Sequence, residues 1–395
     1  MDKSCAPSRA PGGAGVGMIT TVYADRSGAA RSLVLANLAW YLSGASAHVA
    51  ANVPGPHPHP RAGVPVLMID WDLASPGLHH LFGSAGERPG LLEFVAACRC
   101  QLAALAHGST AADSEELARQ VLAAVDWRAY IEPVDAGAPL YLMRAGCIDA
   151  SWNERAAQCD WHDLFQACPA LLRQWRAQMA QAFRHVLVDA PGGRSAAVSV
   201  CTSLLPDRIV GLFTLAQGSL DGLCGVIRRA IAYRCSHEEE QRPLLLYPLP
   251  CAPADASPAA LAAWRQGGAA GPGYQETLER LMQESYGRTH LALDSYFDQV
   301  VLPHLDGDAG AEDPPGAGLA LRALLDWAED GYFPWQSHAE VLLSHARTGR
   351  AHPAGHGAAH GLAPFPASHA AAGHAAPRRG TAALGLRSYP AAAPL

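Results

Sequence analysis

Two runs constrain the fold more than any other feature. Val64 to Ile69 is unbroken apolar chain ending in Asp70-Trp71-Asp72, and His185-Val186-Leu187-Val188 ends in Asp189. A strand with one solvated face alternates apolar and polar residues, whereas a strand covered on both faces reads as a continuous apolar run. Further short strand patterns lie at Ile19–Tyr23, Leu140–Met143, Arg208–Thr214 and Leu244–Tyr247. Helical periodicity falls between them, at Arg31–Ser43, Leu91–Leu105, Ser114–Val125, Leu171–Phe183 and Leu220–Tyr233. Strands alternating with helices predict an α/β fold, a mostly parallel sheet with helices on both faces. Ligands of such sheets bind at the carboxyl ends of the strands. Asp70, Asp72, Asp189 and the loop 25–32 all fall there.

Hydrophobic residues make up 49% of the 395, enough for one large core. The expected organisation is a disordered leader over 1–17, an α/β domain over 18–305, a linker and helical extension over 306–347, and a disordered Ala/Gly/Pro/His tail over 348–395. Ser46 to Gly63, with its Pro-His-Pro-His-Pro run, reads as an exposed loop. Helices are expected at Tyr274–Tyr286, Leu319–Glu329 and Ser337–Ser344. The net charge of −7 argues against non-specific nucleic-acid binding, which needs a basic face. Lys3 is the only lysine, and the Ala, Gly, Pro and Arg content has the look of GC-rich coding. The ten cysteines are scattered with no C-x-x-C pair, and no secretory segment or long apolar span is present, which points to reduced thiols in a cytoplasmic protein.

Met18 to Trp40 has the layout of a phosphate-binding loop. A β-prone run leads into small residues at Ser27 to Ala30, then Arg31-Ser32, then a helix with Val34, Leu35, Leu38, Tyr41 and Leu42 on one face. A helix N-terminus offers free N–H groups and the positive end of a dipole to a phosphate.

Several motifs in order resemble the ParA/MinD-type P-loop ATPases, the SIMIBI-like group, and within them the branch whose loop reads Lys-Gly-Gly-Val-Gly-Arg-Ser. They are Tyr23 to Trp40 with its Ala36-Asn37-Leu38-Ala39-Trp40, Val66 to Leu78 with its Trp71-Asp72-Leu73-Ala74-Ser75-Pro76-Gly77-Leu78, and Val186 to Gly193. Asp160-Trp161, Phe213 to Gly222 and Tyr247-Pro248-Leu249-Pro250 add to them. The resemblance covers about residues 18–255 and, more loosely, the chain to about 305.

It implies ATP and Mg²⁺ as cofactors. Arg26, Ser27, Gly28, Ala29, Ala30, Arg31 and Ser32 would form the nucleotide loop. Ser32, Asp70 and Asp189 would serve the metal, and Asp72 would position or activate the attacking water. The loop departs from the pattern at three places. Arg26 stands for the lysine that reaches a partner's phosphates, Ser27 for a glycine, and Ala30 for the glycine that lets backbone wrap phosphate closely. Arg31 can pair with phosphate in a fork, but it is bulkier than lysine. Ala190-Pro191-Gly192-Gly193 replaces the usual Ser-Arg-Thr-Gly of the segment that senses the terminal phosphate. The competing reading of each acid is a turn or helix cap after a strand. For the loop it is a decayed motif kept as a fold element.

Three functions follow. The first is an ATP-Mg²⁺-dependent, dimerising switch acting on a client protein, with slow or impaired ATP hydrolysis. The second is a catalytically inactive pseudo-ATPase serving as a protein-interaction scaffold. The third and weakest is metal handling by His352, His356 and His360, whose spacing suits a helix but whose Gly/Pro setting does not; His57 and His59 read as solvated loop in the same way. Arg228, Arg229 and Arg234 read as a solvated helix face, so DNA binding has no support. The chain also lacks a basic amphipathic C-terminal helix for membrane attachment and a Gly-x-Ser-x-Gly elbow for a hydrolase triad. Tyr389 alone does not make the tyrosine cluster of the bacterial kinases that share this fold.

Overall fold

The computed structural model describes residues 16–26, 29–44, 64–83, 87–106, 113–134, 138–237, 242–253, 256–268, 271–303, 317–329 and 333–337. Seven strands form one sheet: β1 (Met18–Ala24), β2 (Val66–Asp70), β3 (Glu132–Pro133), β4 (Leu140–Met143), β5 (His185–Asp189), β6 (Arg208–Phe213) and β7 (Leu245–Pro250). Their spatial order is β3-β4-β2-β5-β1-β6-β7. All neighbours are parallel except β3, a two-residue antiparallel edge on β4.

The continuous apolar runs behave as their composition dictates. Every residue of β2, β5 and β6 is buried, which requires cover on both sheet faces. The prolines of β7 sit at the opposite edge: Pro248 faces Gly211 and Pro250 faces Phe213. An edge tolerates a residue without an N–H, which a central strand does not.

Helix α1 (Ala29–Ser43) begins two residues earlier than its periodicity predicts, because the small residues of the loop join the first turn. The helix at Pro169–Ala182 starts on a proline, whose fixed φ suits a first turn, and the one at Gln217–Ser236 runs past both expected ends. The helix at Ala317–Glu329 belongs to the same hydrophobic cluster as the sheet. Glu329 meets Arg208 at 2.6 Å, and Gly318 O accepts from the Tyr41 hydroxyl at 3.4 Å, fixing this helix beside α1. The expected loop at 46–63 and the tail from 348 lie outside the described residues, as do residues 1–15 of the leader and 338–344 of the last expected helix. No helix among the described residues is long and apolar enough to cross a membrane, and no disulfide joins their cysteines.

One expectation is corrected. Arg234 is not on a solvated face: it is buried and donates to Ser203 O at 2.8 Å and Pro243 O at 3.1 Å, tying its helix to the segments around it. Arg228 is exposed and reaches Glu284 at 3.4 Å, and Arg229 is exposed. The three arginines therefore do not share one basic surface.

Candidate functional site

The site forms where β2, β5 and β1 end side by side. Parallel register places Asp70 opposite Asp189 and Val22 opposite Asp189, so two acids and the end of β1 meet at the same edge. Asp72 follows on the segment after β2. Trp71, between the two acids, is fully buried and packs on Trp161 with ring centroids 4.7 Å apart and on Trp175 at 5.7 Å. This aromatic stack anchors the backbone that carries Asp70 and Asp72. Trp161 itself opens a helix that Asp160 caps by accepting from His162 N and Asp163 N.

Arg31, in the first turns of α1, lies across the site. Its guanidinium is 2% exposed, its Nη2 donates to Asp72 Oδ2 at 2.9 Å, and its Nε donates to Asp189 Oδ1. Ser32 Oγ donates to the other Asp189 oxygen at 2.6 Å. Asp72 Oδ1 accepts from Ser75 N at 3.1 Å. Asp70 accepts from Gly77 N at 3.0 Å and Leu78 N at 3.1 Å through one oxygen, and from Asp72 N through the other. Arg31 Nη1 is buried and makes no hydrogen bond among the described residues.

Charge governs this site. Three buried acids, Asp70, Asp72 and Asp189, face one buried cation. Burial pushes the Asp70 carboxyl up to about 8, with the nearby Asp189 adding to the shift and the two backbone N–H groups opposing it. Burial also raises Asp189, against the pull of Arg31 and Ser32. For Arg31, burial disfavours the charge, but Asp189 and then Asp72 outweigh it and hold the guanidinium protonated.

The two groups expected at this site can be tested against these contacts. A divalent cation suits the donor chemistry, since the Ser32 hydroxyl and Asp189 carboxylate are hard oxygen donors in contact, and it suits the unbalanced negative charge. In the arrangement seen, Arg31 already holds that carboxylate, so a cation and the Asp189–Arg31 pair compete for the same oxygens. A phosphate suits the orphaned Arg31 Nη1, a buried donor in need of an acceptor.

Of the expected loop residues, Arg31 and Ser32 reach the acids. Ala30 is half-buried, Arg26 is exposed, and Ala29 opens α1. Ser27 and Gly28 lie outside the described residues. Sequence reasoning missed a second knot at the loop's start. The Tyr23 hydroxyl donates to Gly193 O at 3.0 Å, and Gly193 N donates to Asp25 O at 2.7 Å, locking the segment after β5 to the loop. Gly193 has φ +75°, a conformation few other residues adopt without strain. Gly222 leaves the room that the Asp25 carboxylate occupies, and the Arg194 guanidinium lies 3.2 Å from where a Gly225 Cβ would be. Gly192-Gly193 after a strand-end acid was the available signal for this knot.

A surface hollow of about 380 Å³ is lined by other residues, among them Arg265, Glu279 and Asp298. Arg265 pairs there with Asp298 at 2.7 Å, so the hollow holds its own charge partners.

No family model matches the chain, and no curated protein is similar to it. Among solved structures, it is similar to the septum site-determining protein MinD of Pyrococcus horikoshii, complexed with Mg-ADP. That pair shares 14% identity, 79% of this chain and 96% of the other, with a TM-score of 0.45. A ParA-family ATPase from Chlorobium tepidum matches at 14% identity over 80% of this chain and 98% of its own, with a TM-score of 0.41. A putative plasmid partition protein of Borrelia burgdorferi, bound to AMPPNP, matches at 12% identity over 80% and 100%, with a TM-score of 0.46.

Proposed function

We propose that this chain is a ParA/MinD-like nucleotide-binding protein, an ATP-Mg²⁺-dependent switch in which hydrolysis is slow or impaired. The observation that carries this reading is the bonded cluster of Arg31, Ser32, Asp72 and Asp189, drawn from three adjacent strand ends into one buried site. The in-order motifs from Tyr23 to Gly193 supply the family and the nucleotide.

In this reading the backbone N–H groups of loop 25–32 and the first turn of α1 bind the phosphates. Arg31 turns its guanidinium to them as a fork. Ser32 and Asp189 would hold Mg²⁺, with Asp70 beside them in register. The cation, when bound, neutralises phosphate charge. Asp72 orients the attacking water. Each Asp72 oxygen already accepts one hydrogen bond, from Arg31 and from Ser75 N, and the Arg31 pair draws its charge away from a water. Two bound chains then face each other across their nucleotides, and a client protein reads that state.

The engagement of Asp72 also supports a second reading, a pseudo-ATPase scaffold that binds nucleotide without turning it over. Thermal melting of the purified chain with ATP, ADP and AMP, each with Mg²⁺, tests binding. Phosphate release by the wild type and by Asp72→Ala then separates the readings. Slow release abolished in Asp72→Ala supports the switch. A melting shift with no release supports the scaffold, and no shift with any nucleotide removes both.

A further inference from the structure

In the reading above Arg31 meets a phosphate. Here Arg31 is bonded to the two acids that flank the cation position. Its Nε holds the Asp189 oxygen Oδ1 while Ser32 holds Oδ2, so each oxygen of that carboxylate already accepts one hydrogen bond. Its Nη2 holds Asp72. Removing this cation without replacement would leave buried like charges facing one another, which is strongly unfavourable. A positive charge at this place relieves that repulsion, and Arg31 supplies it from within the chain.

We propose that Arg31 is an intramolecular competitor of the divalent cation. It is the counter-ion of Asp72 and Asp189, and the cation binds only as Arg31 is displaced from Asp189. This rests on the reading of Ser32 and Asp189 as cation ligands. The orphaned Nη1 gives the displacement a direction. A buried donor with no acceptor lowers the cost of leaving, and a phosphate offers that donor and its neighbours new acceptors. Cation and phosphate thus favour each other: the phosphate draws Arg31 off the acids, and the acids accept the cation in its place. Cation affinity without nucleotide is then held down by Arg31.

The test is calorimetric titration of the full-length chain with Mg²⁺ and with Mn²⁺, without nucleotide, for the wild type, Arg31→Ala and Arg31→Lys. Removing a like charge from a weak site and removing a competitor act in the same direction, so Arg31→Lys is decisive. It retains the charge, but its compact ammonium lacks the fork that spans both acids. Expected is binding about tenfold or more tighter in Arg31→Lys than in the wild type, as for loss of a charge-assisted hydrogen bond, and at least as tight in Arg31→Ala. Equal or weaker binding in Arg31→Lys overturns the competition, even if Arg31→Ala does not fold. An ATP melting titration of the wild type keeps the two readings apart. A melting shift with ATP but no gain in Arg31→Lys sinks only the competition. Tighter cation binding in Arg31→Lys with no ATP shift in the wild type sinks only the nucleotide reading.

Discussion

Arg31 Nη2 donates to Asp72 Oδ2 at 2.9 Å, joining the start of α1 to the segment after β2 across 41 residues. Both side chains are almost fully excluded from solvent, at 2% and 1% exposure. Breaking such a pair by deleting one partner typically costs about 3–5 kcal/mol, most of it from the charge left behind. Arg31→Ala is therefore expected to lower the unfolding free energy, measured by urea denaturation, by that order. Mg²⁺ at millimolar concentration should restore more stability to the variant than it adds to the wild type. A variant as stable as the wild type without metal would show that the acids had simply taken up protons.

Asp70 gives a pH signature. In the folded chain burial pushes its carboxyl up to about 8, while the unfolded chain returns it near the ordinary 3.8. Between these values the folded state holds a proton that the unfolded state has lost, so this group makes stability fall as pH rises from about 4 to about 8. Asp70→Asn removes that slope and keeps an acceptor for Gly77 N and Leu78 N. Thermal melts from pH 4 to pH 9 should show little difference near pH 4 and a melting point several degrees higher for the variant near pH 8.5. A difference independent of pH would contradict the assignment.

Gly222 and Asp25 make a steric pair. A Cβ at position 222 would collide with the Asp25 carboxylate, whose Oδ1 lies 3.5 Å from the Tyr23 hydroxyl. Gly222→Ala, on an exposed helix, would stabilise by up to about 1 kcal/mol through propensity alone. Here it is expected to destabilise by about 1–3 kcal/mol, the usual range for an overpacked site. Asp25→Ala combined with Gly222→Ala should recover most of the loss. Additivity of the two changes in urea denaturation would mean that they do not touch.

Glu329 ties the C-terminal helix to the sheet. Burial pushes its carboxyl up, but Arg208 and His185 outweigh that and hold it below the usual 4.5. A depressed acid stabilises above its unfolded value and loses that contribution as pH falls through the folded one. Glu329→Gln is expected to cost about 1.5–3 kcal/mol at pH 7, as for a hydrogen bond to a charged group, and progressively less below pH 4.5. Hydrogen exchange of residues 317–329 would report the same loss as faster exchange confined to that helix.

Much of the fold was legible in one dimension because burial leaves a direct mark on composition. The apolar runs at β2 and β5 and the acids ending them identified a parallel sheet and the edge where its ligands bind. The helical periods located the longer helices to within a few residues. Elements that owe their form to packing did not show in this way, such as the two-residue β3 and the extra turns at both ends of the helix Gln217–Ser236. Arg234 illustrates the limit: on a helix wheel it is an arginine like Arg228, yet its guanidinium is buried among backbone carbonyls of segments 28 to 31 residues away.

The sequence by itself determined which residues reach the site. Arg31, Ser32, Asp70, Asp72 and Asp189 follow strands that the apolar pattern locates, and a parallel sheet must bring those ends to one edge. Only the tertiary structure decided what these residues do to one another. Three acids and one arginine in water would stay solvated and independent. Buried together at the ends of β2, β5 and β1, they must neutralise each other, and so Arg31 turns inward onto Asp72 and Asp189 while burial favours the protonated form of Asp70. That choice is made by desolvation, a property of the assembled core that no local stretch of chain carries.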